Sequence, residues 1–160
     1  ETETGGYTIY DDDAAHTEIF GLLYNWYTVG DSRNIAPEGW HVPSNEEWTE
    51  LIEYLGGYSM AGGPLKAIGT VEGEDGLWYE PNGGATNESG FTALPGGYRD
   101  GIDGLYFDIG YYGSFWSSTP FGISNDFAWC RNLYHVSPEV SYAGTYTQFG
   151  FSIRCVRDSD

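Results

Sequence analysis

Apolar positions recur at helical spacing most clearly between Gly39 and Gly57. Trp48, Leu51, Ile52 and Leu55 fall at i, i+3, i+4 and i+7, and Glu46, Glu47, Glu50 and Glu53 fill the other face. Ser44 with Glu47 three residues on forms a capping-box pattern. The Ser oxygen takes one orphan N–H and the Glu reaches back to the cap. Pro43 is placed to pack on Trp48, and Gly56 supplies the left-handed residue that ends the helix. The glutamates read as a solvated face, favourable near the positive end of the helix dipole.

Upstream, Tyr7–Tyr10 alternates well enough for a short strand. Asp11, Asp12 and Asp13 then suit the start of a helix whose buried stripe reads Ile19, Leu22, Leu23 and Trp26. A cation site at the three aspartates is the sharper alternative. From Gly56 to Gly113 the glycines crowd and the helical period stops, which predicts long loops with short strands. Such a region carries binding surface or is pinned by packing. Three strands close the chain, Ser114–Ser118, Phe127–Val136 and Phe149–Arg157. A symmetric hairpin of the last two, looping near Ser137–Tyr146, sets Cys130 opposite Cys155. That register predicts one disulfide and an oxidising compartment, against two reduced core thiols.

Composition narrows the partners. The 160 residues carry 24 acids against six bases, a formal charge of −18. That field repels phosphate backbones and anionic membranes, so nucleic acid is excluded as a partner. No apolar run approaches the ~20 residues of a membrane span, so no membrane insertion is expected. No secretory leader is visible, which reads as a mature chain or an excised domain. Aromatics make up 18% of the residues and there are 24 glycines. Both point to a rigid, turn-rich protein with flat side chains to display.

Six ordered segments resemble one family. They are LYNWYTV (Leu23–Val29), APEGWHVPSNEEW (Ala36–Trp48), AGGPLK (Ala61–Lys66), TNESGFTALPGGYR (Thr86–Arg99), FWSST (Phe115–Thr119) and GFSIRCVRD (Gly150–Asp158). Together they resemble the Fibrobacter succinogenes major paralogous domain, found on secreted and surface proteins of bacteria. The resemblance implies an α+β, C-type-lectin-like fold akin to the formylglycine-generating enzymes. Two helices would pack on a twisted, mostly antiparallel sheet beside a long Gly-rich loop region. Residues 1–160 then form one lectin-like domain, with residues 1–6 as an acidic N-terminal extension. Members of the family usually begin with an extra strand that is missing here. Its absence predicts a free edge on the C-terminal strand, open to a neighbouring subunit or capped by Tyr7–Tyr10.

Little points to catalysis. The enzyme relatives hold copper with two neighbouring cysteines, a pattern absent here. His16, His41 and His135 are too scattered for a zinc-type site, and His41 reads as structural. Glu80-Pro81-Asn82 spells the tripeptide with which calcium-dependent lectins grip sugar hydroxyls, and Asn125-Asp126 would be the second ligand pair. The order and spacing differ from the lectin pattern, and chance composition in an acidic, Gly-rich loop is the better explanation of the tripeptide. Asp100, Asp103 and Asp108, or Glu72, Glu74 and Asp75, are further candidates for structural calcium. Tyr106, Tyr111, Tyr112, Trp116 and Phe121 are candidate ligand-stacking rings, although strand alternation turns about half of such a cluster inward. Arg99, Arg131, Arg154 and Arg157 are expected to pair with carboxylates. The expectation is a non-catalytic extracellular module that binds glycan or protein at a cell surface. The alternatives are a self-assembling filament subunit and a divergent formylglycine-generating-type enzyme.

Overall fold

The computed structural model describes residues 3–159. Of the acidic extension, Glu1 and Thr2 lie outside the described residues. In chain order come β1 (Tyr7–Thr8), α1 (Ala14–Phe20), β2 (Leu23–Tyr24), β3 (Trp40–His41), α2 (Asn45–Tyr54) and α3 (Gly62–Leu65). Then follow β4 (Gly96–Arg99), β5 (Tyr106–Ile109), β6 (Tyr112–Pro120), β7 (Phe127–Tyr134), β8 (Val140–Tyr146) and β9 (Val156–Arg157). The fold is mixed α and β. Its centre is a five-stranded sheet in the order β5-β4-β6-β7-β8, antiparallel except where β4 meets β6 through Gly97 and Gly113.

Helix α2 forms as its sequence dictates. Glu47 N–H donates to Ser44 Oγ at 3.2 Å, and Ser44 N–H donates to Glu47 Oε2 at 2.8 Å, completing the capping box. Trp48 and Ile52 are buried. The β6 strand alternates across the sheet. Phe115 joins Trp48, Ile52, Leu65, Trp78 and Leu133 on the α2 face, whereas Trp116 joins Ala128, Cys130 and Phe151 in a second core.

The long glycine-rich region is held by buried polar groups. Lys66, with no exposed surface, donates its three ammonium protons to the carbonyls of Gly83, Tyr134 and Ser137 at 2.9, 2.9 and 3.0 Å. Its Nζ stands 5.4 Å from the Trp78 ring centre. Arg131 is equally buried and ties the first turn of α2 to β7 through Asn45 Oδ1 at 2.8 Å. Neither cation pairs with a carboxylate among the described residues. Backbone carbonyls and amides do that work.

Three expectations need correction. Helix α1 stops at Gly21 (φ 80°) and leaves Ile19 46% exposed; Leu22, Leu23 and Trp26 follow it in extended and 3-10 backbone. The helical spacing of those four residues was a coincidence of an apolar strand following a short helix. The strand after β7 is β8, so the hairpin loop is 135–139, and Ala143 rather than Cys155 faces Cys130. Both cysteines are free thiols. The segment VSYAGTY, inside the expected 137–146 loop, has the β-branched and aromatic residues of a strand. Finally, the C-terminal segment has no open edge along its middle. Gly150 bridges to Arg99, Phe151 to Tyr24 and Ser152 to Phe115, and β9 then pairs with β3.

Candidate functional site

The five candidate rings are scattered. Trp116 has no exposed surface; its indole N–H donates to Tyr24 O at 2.8 Å, so it is a core residue. Tyr111 stacks on Tyr79 at 4.4 Å and meets the His135 ring edge-on at 5.0 Å, beside the β5–β6 turn. Tyr112 is half-buried against Tyr134, at 4.9 Å. Tyr106 lies on β5, its hydroxyl 2.5 Å from Thr8 Oγ1 and 3.3 Å from Asp12 Oδ1. Phe121 lies beyond the far end of β6.

The four candidate calcium ligands are not brought together. Glu80 and Asn82 lie at the Tyr134 end of β7, where His135 Nδ1 stands 2.8 Å from Glu80 O. Asn125 and Asp126 occupy the turn that enters β7 at Phe127. The intervening strand spans roughly 25 Å at ~3.3 Å per residue, too far for one ion. Asn82 is buried and gives its amide protons to Ala67 O and Gly69 O, which makes it a loop clamp. Asp75, Asp100 and Asp103 accept backbone N–H groups within their own turns. Among the described residues, no three His, Cys, Asp or Glu side chains gather in a metal-binding arrangement.

What the fold does assemble is an aromatic shelf on the α2 face of the sheet, beyond the end of that helix. Residues directly opposite on β7 and β8 share a face, and the pairs here are Phe127 with Tyr146, Trp129 with Gly144 and Arg131 with Tyr142. Phe121 folds back from the β6–β7 turn and lies flat on Gly144, where an added Cβ would sit 2.4 Å from the ring. Trp129 meets Phe121 edge-on at 4.6 Å, and Tyr146 packs on Phe127 at 4.4 Å. Tyr142 completes the row, 5.7 Å from Trp129 and held from below by the Arg131 guanidinium at 5.7 Å. Tyr142, Tyr146 and Phe121 keep 55%, 47% and 38% of their surface exposed. Sequence reasoning found Phe121 and missed the other four. The signal was present as Phe127-x-Trp129 alternation, but it needed the β8 register to become a surface.

The remaining electrostatics are structural. His41 bridges Glu47 and Asp158, with Nε2 2.7 Å from Glu47 Oε1 and Nδ1 2.5 Å from Asp158 Oδ1. Hydrogen bonds from Asp158 first, then Glu47, hold its pKa above the usual value. Of the six Lys and Arg side chains, Arg33 alone makes an ion pair among the described residues, with Asp31. Arg154 lies over the Phe91 ring at 4.7 Å and Arg131 is spent on helix α2, so the expected carboxylate pairing does not occur. Cys130 is buried, and burial pushes its thiol pKa up. Cys155 lines a separate apolar cleft with Trp40, Pro43 and Phe91.

No curated protein and no solved structure matches this chain. The model of one protein family does, over residues 1–157, and its description is the Fibrobacter succinogenes major domain. Because that match spans nearly the whole length, the chain belongs to the Fibrobacter succinogenes major domain family.

Proposed function

We propose that this chain is a non-catalytic, extracellular recognition module of C-type-lectin-like fold, which binds neutral glycan by stacking sugar rings on the aromatic shelf. One observation carries the reading: Phe121, Trp129 and Tyr142 form a run of rings, with Tyr58 against Tyr142 and the Phe127–Tyr146 pair on the same sheet face, and Tyr142, Tyr146 and Phe121 stay 55%, 47% and 38% exposed. Pyranose faces present C–H groups to such rings, and aromatics anchor binding surfaces in general. The formal charge of −18 favours an uncharged partner on an open surface. Calcium is not needed for ring stacking.

A panel of neutral and acidic polysaccharides, probed with and without chelator, tests this reading. Binding to neutral polysaccharide, insensitive to chelator and lost in a Phe121→Ala/Tyr142→Ala variant, is expected. No binding, or binding that survives the double substitution, overturns it.

Self-association is the second reading, favoured by the outer edge of β8. That strand pairs only with β7, and its outer side meets the rest of the chain through Val140 N–H to Tyr58 O at 2.8 Å. An unpaired edge of this length invites a strand from another copy. Light scattering decides it: a monomer at all concentrations removes the filament reading.

A further inference from the structure

We infer that a polar groove at the opposite edge of the sheet from the shelf binds a carboxylate-bearing sugar, with Arg99 holding the carboxylate. The groove encloses about 400 Å³ and is lined by Thr8, Asp12, Asn25, Arg99, Tyr106 and Gln148 among others. Arg99 is the anomaly. In a chain with 24 acids and six bases, a guanidinium beside several aspartates should find one. Arg99 makes no ion pair and no side-chain hydrogen bond among the described residues.

The local turn explains why. Asp100 Oδ1 accepts from Ile102 N–H at 2.6 Å, and Asp103 Oδ1 accepts from Leu105 N–H at 2.9 Å. One oxygen of each carboxylate is thereby held in the 100–105 turn, and neither carboxylate pairs with Arg99 among the described residues. Asp12 accepts from the Tyr106 hydroxyl across the groove. The guanidinium sits between the 100–105 turn and the Tyr106 ring. It lies against Gly104, where a Cβ would come within 2.6 Å of Nη2, and 6.0 Å from the Tyr106 ring centre. A planar five-donor fork that is unpartnered among the described residues fits a carboxylate, which it can grip through two parallel hydrogen bonds.

The rest of the lining says what carries that carboxylate. Gln148 has its amide uncommitted among the described residues, and Asp12 has a second oxygen free for a hydroxyl proton. Asn25 is spent on Gly6 and Thr4, so it shapes the wall and does not bind. A groove with one cation, one hydroxyl acceptor, an amide and a ring matches a uronic acid better than an acidic peptide, whose apolar portions would find little to pack on. The overall negative charge does not forbid this. At 0.15 M salt the screening length is ~8 Å, so a bound anion meets Arg99 at contact while most of the acids are damped.

Amide chemical shifts of the ¹⁵N-labelled chain, titrated with tri-galacturonate, its methyl ester and galactotriose at 0.15 M salt, test the proposal. The free acid should shift Tyr7, Thr8, Gly104, Tyr106 and Gln148 and bind at least tenfold tighter than either neutral trisaccharide. Arg99→Gln should abolish that difference, and Arg99→Lys should weaken binding because it keeps charge but loses the fork. Phe121→Ala on the distant shelf should leave the titration unchanged, which separates this site from the one proposed above. Equal binding of acid and ester overturns the proposal with the wild-type chain alone, whatever the variants do. So does an unchanged affinity in Arg99→Gln, equal binding of an aspartate tripeptide, or an absence of shifts in the groove.

Discussion

Replacing His41 by Phe keeps the ring volume and removes a side chain that ties the C-terminal segment, at Asp158, to helix α2, at Glu47, through charge. Both ring nitrogens face carboxylate oxygens, at 2.5 Å to Asp158 and 2.7 Å to Glu47, so both donate and the ring is an imidazolium. Its pKa is raised in the fold, so its contribution is complete below the unfolded value near 6.5 and fades as pH rises through the folded value. Glu47 bounds the window from below. Burial alone would raise its pKa, but the Ser44 N–H and His41 together hold it under 4.5. That contribution is complete above 4.5 and is lost as pH falls through the folded value. The staple is therefore strongest between about pH 4.5 and 6.5. Because the His41 side chain is 42% exposed, solvent screening limits the pair of contacts to about 1 kcal/mol. For a chain of this size, that is about 2–4 °C in melting temperature. Thermal unfolding of both proteins followed by circular dichroism should show that gap at pH 5.5 and less than half of it at pH 9.5. A gap of the same size at both pH values refutes the argument.

Lys66→Met removes three hydrogen bonds and leaves three buried carbonyls bare, so a loss of about 3–5 kcal/mol in urea unfolding is expected; a change under 1 kcal/mol would show that the cage is unimportant. Gly144→Val drives a side chain into the Phe121 ring, so Phe121 should leave the shelf, visible as loss of its cross-peaks to Trp129; unchanged cross-peaks contradict the packing described here. A thiol reagent should titrate two free thiols in denaturant, with Cys155 modified first in the native protein and Cys130 protected by its core. Finding no free thiol would restore the disulfide.

How much of this was legible in sequence depended on how local the determinant was. The capping box, the apolar stripe of α2 and its glycine stop lie within thirteen residues of each other, and all three stand as read. Determinants that needed a register were misread. Strand β8 lies inside the expected 137–146 loop, because a symmetric hairpin of the segments at 127–136 and 149–157 leaves no room for it; Gly144 within it lies under the Phe121 ring. That single displacement moved the presumed partner of Cys130 from Ala143 to Cys155 and created a disulfide on paper. The basic residues were misread for a different reason. In so acidic a chain, ion pairing is the natural expectation for the arginines, but Arg131 is buried against backbone carbonyls, the Asn45 amide oxygen and the Thr49 hydroxyl.

The same contrast separates scaffold from surface. Lys66 ends AGGPLK, the capping box and His41 lie within APEGWHVPSNEEW, and Trp116 belongs to FWSST. Each of these motif residues is consumed by an internal contact, so the segments that identify the family specify how it folds. Phe121, Phe127, Trp129, Tyr142 and Tyr146 all fall between motifs, on the one hairpin face that helix α2 leaves bare. Tyr142, Tyr146 and Phe121 keep 55%, 47% and 38% of their surface exposed, and apolar surface left in water costs ~25 cal/mol per Å². That exposed ring surface is the physical argument that this face meets a partner. It also means that family membership by itself carries no information about which partner that is.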